Sequence, residues 1–139
     1  MKNSLWIPAI ALSVAAAPAW SIDIESIGGD YIGNVIDVKG GGPSKGDTCH
    51  VSIDPEGPGN TVAFKLKGAP SAAYVERNEV ERGLKKGSAK VNLTTTSQKG
   101  KKVVVVLTFK GDRLHFVRVK AIDHAQVRWT IACGRLAKT

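Results

Sequence analysis

Any chemistry in this chain would have to come from three histidines, two cysteines and scattered carboxylates, and their spacing supports little of it. His50, His115 and His124 are separated by turn-forming stretches, with no arrangement that would bring two imidazoles onto one metal. His50 follows Cys49 directly, but consecutive side chains of an extended strand point to opposite faces, so the imidazole would not reach the thiol. Ser71 has no evident base, and neither a nucleophile elbow nor a phosphate-binding or dinucleotide glycine pattern occurs. Asp47, Asp54 and Glu56 lack the alternating ladder of a calcium loop, and Asp54-Pro55-Glu56-Gly57 is a turn composition. These residues lead us to expect a non-enzymatic protein with no cofactor and no metal.

Charge is the stronger signal. Residues 20–60 carry two basic and seven acidic side chains, a net of −5, whereas residues 61–139 carry seventeen and five, a net of +12. Lys99, Lys101, Lys102, Lys110, Arg113 and Arg118 fall on consecutive elements that should be sheet neighbours, as do Lys85, Lys86, Lys90, Lys120 and Arg128. Neighbouring strands turn sequence density into surface density, and such a face attracts anions. The first six are our candidate anion contacts. Lysines also blunt strand edges and keep β proteins soluble, which accounts for some of them without a ligand.

The two cysteines, Cys49 and Cys133, bear on compartment. Residues 1–19 have a basic start at Lys2, an apolar segment and an Ala17-Pro18-Ala19 end, the three parts of a secretory signal peptide. The apolar run is short and broken by proline, so we expect no transmembrane span and a single mature domain over residues 20–139, periplasmic or secreted. Export makes a Cys49–Cys133 disulfide the expected state.

The elements that must position these residues read as strands. Val103 to Leu107 is an unbroken apolar run rich in β-branched residues, and Gly111-Asp112 joins it to a second run as a hairpin. Tyr31 to Val38, Thr48 to Ile53, Thr61 to Lys67, Ser88 to Thr95 and Gln126 to Cys133 keep a period of two, with Gly33 marking a bulge or a close backbone approach. Residues 71–86 leave that period and predict one short helix between the third and fourth strands, with Ser71 as cap and Glu81 and Lys85 as an i,i+4 pair. The expected fold is all-β, an antiparallel meander of about seven strands closed into a small barrel or sandwich. Val104 and Val106 would face outward and need a cover, for which the helix is the natural lid.

Gly29-Asp30-Tyr31-Ile32-Gly33 resembles the opening strand of lipocalin-like barrels over five residues, and the early-plus-terminal cysteine pair is similar to that of periplasmic lysozyme inhibitors. Neither resemblance extends further, and a basic lysozyme would repel a basic chain, so no family follows.

The expected function is that of an exported binding protein whose basic sheet face engages an anionic envelope polymer, a lipid head group or an acidic protein. The alternative is an inhibitor or accessory subunit of an envelope enzyme, acting through loops 40–47 or 68–87. Tyr74, Phe109, Phe116 and Trp129 read as core-facing, so the chain lacks a stacking platform, which counts against nucleic acid. Large side chains at Phe64, Leu93, Leu107, Phe109, Phe116 and Trp129 should fill the interior and leave no calyx.

Overall fold

A computed structural model describes residues 22–97 and 100–139. The proposed signal peptide and Lys99 lie outside the described residues. Eight antiparallel strands form one sheet: β1 (Gly29–Lys39), β2 (Thr48–Gly57), β3 (Thr61–Leu66), β4 (Ala73–Glu76), β5 (Lys90–Thr96), β6 (Lys102–Lys110), β7 (Arg113–Asp123) and β8 (Gln126–Lys138). Two helices accompany them, α1 (Ile24–Ile27) and α2 (Arg77–Lys85). The strand order is β4-β3-β2-β1-β8-β7-β6-β5, a meander in which the first strand pairs with the last and the sheet curls into a nearly closed barrel. Among the described residues no helix is long and apolar enough to cross a membrane.

The fold class is as the periodicity indicates, with a correction in the middle. Ala73 to Glu76, read as the first turn of a helix, is an additional strand paired with β3. Its burial alternates, Ala73 and Val75 inward and Tyr74 and Glu76 outward, so a period of two governs here and the helix starts only at Arg77. The helix therefore lies between the fourth and fifth strands. Ser71 is not its cap, and Glu81 pairs back to Arg77 at 3.7 Å rather than forward to Lys85.

Nor does α2 cover Val104 and Val106. It turns Val80 and Leu84, both fully buried, toward the core and sits on the inward side chains of β5. Gly83 permits this seat, since a Cβ there would lie 2.8 Å from Val91 Cγ1 and 3.4 Å from Leu93 Cδ2. Val104 and Val106 are instead flanked by cross-strand neighbours, Lys120 beside the first and Arg118 beside the second.

The sheet folds over where β1 meets β8. Both register shifts between these strands, at Ile32/Asn34 and Val35/Asp37, are β-bulges, which bend a strand and increase its twist. Gly33 faces inward at the first, and a Cβ on it would strike the Gly134 carbonyl oxygen and lie 2.9 Å from Leu136 Cδ2. Cys49, opposite Gly33 on β2, and Cys133, opposite Val35 on β8, form a buried disulfide across the inner face of β1. In a flat sheet two strands separated by a third lie about 10 Å apart. Here the Cα atoms are 6.0 Å apart, a measure of how tightly the sheet folds over.

The opposite seam, between β4 and β5, carries no strand ladder. Side chains close it: the Thr94 N–H donates to Glu79 Oε2 at 2.9 Å and the Thr95 hydroxyl donates to the Tyr74 carbonyl at 2.8 Å. At one end α1 is fastened to α2 by Arg77, which donates to a Glu25 carboxylate oxygen at 3.0 Å and to the Pro55 carbonyl at 2.8 Å. The buried Tyr31 hydroxyl donates to the Ile27 carbonyl at 2.8 Å, and burial pushes its phenol pKa up.

Because Gly33 has backbone rather than a movable side chain against it, Gly33→Ala should cost about 2–3 kcal/mol, at the upper end of overpacking penalties. Urea denaturation of the variant checks this, and an unchanged midpoint would remove the close approach as a determinant of the bend.

Candidate functional site

The register of β5, β6 and β7 sets out a repeating cationic pattern. Alternate residues of β6 face outward, namely Lys102, Val104, Val106, Thr108 and Lys110, and each of these rows holds a cation. Lys102 supplies the first itself. Val104 lies beside Lys120, Val106 beside Arg118 and Thr108 beside Lys90, and Lys110 is opposite Arg113 at the hairpin end. Rows two residues apart are spaced by roughly 6.5–7 Å, so the pattern runs for about 26 Å along the wall.

The structure divides the sequence-derived candidates along this stripe. Lys101 and Lys102 lie at one end of the hairpin, Lys110 and Arg113 at the other, and only Arg118 lies between. Five of the six are thus placed, and the sixth, Lys99, is outside the described residues. Lys90 and Lys120 complete the middle rows. They carry no motif, and only the pairing register brings them into line.

Arg118 is not a free anion contact. Its guanidinium donates to Asp37 Oδ2 at 3.0 Å. Arg118 on β7, Ala132 on β8 and Asp37 on β1 share one row, and the small side chain of Ala132 lets the other two meet above it. The next row repeats the device with apolar groups, since Gly134 leaves room for Ile36 and Phe116. Arg118 also lies 5.7 Å from the Phe116 ring centre. The hydrogen bond from Arg118 holds the Asp37 carboxyl below its usual range despite exposure to water. Among the described residues no carboxylate lies within ion-pair distance of Lys90, Lys102, Lys110, Arg113 or Lys120.

Several other expectations resolve on the coordinates. Cys49 is buried in the disulfide while His50 faces out, on the opposite side of β2. Asp47 accepts the Ser44 N–H and Asp54 the Glu56 N–H, so these carboxylates serve their own turns. Residues 68–87 are mostly β4 and α2, built into the wall rather than projecting from it. Phe116 and Tyr74, read as core-facing, lie on the outer surface. For Phe116 the cause is a bulge, because Leu114 and Val117 both point inward and leave two outward residues between them.

Comparison of the chain with family models, curated proteins and solved structures returns no significant match.

Asp37 should be visible in the acid limb of stability. A carboxylate whose pKa is depressed on folding stabilises the fold above its unfolded value, near pH 4, and that contribution disappears as pH falls through the lower folded value. Asp37→Asn should flatten this part of the stability profile below about pH 4. A profile identical to wild type would show that the Arg118–Asp37 pair contributes nothing in solution.

Proposed function

We propose that the protein is an exported, non-enzymatic binding protein whose cationic stripe engages a repeating polyanion of the cell envelope. The observation that supports this most directly is the placement of a cation on each successive outward row across β5, β6 and β7, four of the five rows holding one without a carboxylate partner and the middle row holding Arg118, paired with Asp37. A spacing of roughly 6.5–7 Å suits a polymer with a charge on each repeat, and a stripe about 26 Å long engages several repeats at once. No single small anion spans it. The Cys49–Cys133 disulfide is compatible with an oxidising, exported compartment, where anionic cell-wall polymers and lipopolysaccharide are the abundant polyanions.

Binding of this kind weakens with ionic strength, since the stripe is exposed and its rows are screened over about 8–10 Å at physiological salt. Retention on immobilised dextran sulfate should therefore fall steeply as salt rises. It should be largely lost when Lys90, Lys102, Lys110 and Lys120 are changed to glutamine. Oligosaccharides too short to cover the stripe should compete poorly. Salt-independent retention, or retention indifferent to those four substitutions, would refute the reading.

A further inference from the structure

A second surface, on another side of the barrel, combines exposed apolar side chains with unpaired cations. Ile32 and Ile36 project from the outer face of β1 and are 42 % and 41 % exposed, two of the three exposed large hydrophobic residues among those described. They stand four residues apart, about 13 Å along the strand. Each borders a shallow depression, one of about 410 Å³ flanked by Lys65 and Lys67, the other of about 440 Å³ flanked by Lys45 and Arg135. Among the described residues none of these four cations has a carboxylate within ion-pair distance. Asp30 and the terminal residue Thr139 also line the first depression, so the two depressions together set four cations against Asp30 and one terminal carboxylate, a net positive surface.

β1 is paired along both edges, with β2 and with β8, so its backbone cannot accept an added strand and an extended peptide gains no ladder here. A second copy docked face to face would bring four cations against four. What fits is a surface that is anionic, laterally uniform and apolar just beneath its charged layer. We infer that the Ile32–Ile36 face of β1 docks on an anionic lipid bilayer, with Lys45, Lys65, Lys67 and Arg135 against lipid phosphates and the two isoleucines entering the boundary between head groups and acyl chains.

This surface lies one strand away from the cationic stripe, with β8 between β1 and β7, and the one stripe cation that reaches across β8, Arg118, is engaged by Asp37. It differs from the stripe in chemistry because part of its attraction is apolar and resists salt. The two can fail independently.

The test is cosedimentation of the protein, purified after export, with phosphatidylglycerol-containing vesicles and with pure phosphatidylcholine vesicles. Wild type and variants should carry the same N-terminus, verified by intact mass. Wild type is expected to bind the anionic vesicles and not the zwitterionic ones. The double variant Ile32→Thr with Ile36→Thr keeps β-branching, so it should fold, and should bind the anionic vesicles at least tenfold more weakly while its retention on dextran sulfate is unchanged. Each of Lys65→Gln and Lys67→Gln should cost about fivefold, the fold-change corresponding to one lysine near an anionic membrane. Wild type that ignores vesicles yet binds dextran sulfate would overturn the bilayer inference and leave the stripe standing. Vesicle binding indifferent to the isoleucines would overturn it too, as would isoleucine-dependent binding to soluble polyglutamate alone, which would assign the face to an acidic protein.

Discussion

The close approach of β8 to β1 at Gly33 is the constraint on which the rest of the barrel depends. A meander of eight strands has two free ends, and the sheet can curl far enough to bring them near each other only if its middle bends sharply. The bend is at β1 and β8, where two bulges coincide with a glycine whose missing Cβ leaves room for the Gly134 carbonyl. The disulfide then joins β2 to β8 over β1, and with the cysteines separated by 84 positions in sequence it restricts the unfolded chain more than a short loop would. The opposite seam is closed by side chains, Glu79 and Thr95, and by α2 seated against β5.

Small outward residues on β8 follow from the same tight curl and have an electrostatic consequence. Ala132 and Gly134 let side chains of β7 and β1 meet above β8, so Arg118 reaches Asp37 and Phe116 lies near Ile36. The acidic N-terminal third thereby neutralises part of the basic remainder, with Glu25 doing the same for Arg77. Among the described cations left unpaired, two groups stand out, a ladder across β5, β6 and β7 and a looser group around the outer face of β1, with Arg82, Lys85 and Lys86 at the end of α2 in neither. Burying the apolar side chains inward costs these exposed lysines nothing, because alternate residues of a strand face opposite ways.

Much of the fold was legible from periodicity. Alternation or an unbroken apolar run marked every strand but β4, the Gly111-Asp112 turn marked the central hairpin, and the inward phase of Cys49 and Cys133 marked a buried cross-link. Where the reading failed, the cause was a short segment or a bulge. Ala73 to Glu76 shows only two alternations, and its alanine and valine suit either a helix face or a strand. His115 and Phe116 shift the phase of β7 by one residue, which no composition reveals. The candidate site was legible as a density of positive charge and illegible as a pattern. Which lysine stands beside which depends on pairing register, so Lys90 and Lys120, counted in the basic density but not among the six candidate contacts, gained their place only with the structure, while the attractive Arg118 proved to be engaged by a carboxylate 81 residues away.

Equilibrium urea denaturation of the protein with its disulfide intact and after reduction tests most directly whether the fold-over at β1 and β8 holds the barrel together. A loss of about 4–5 kcal/mol is expected, with amide protection falling first in β1, β2 and β8. A loss below about 1 kcal/mol, or protection lost first elsewhere in the sheet, would contradict that role for the bend.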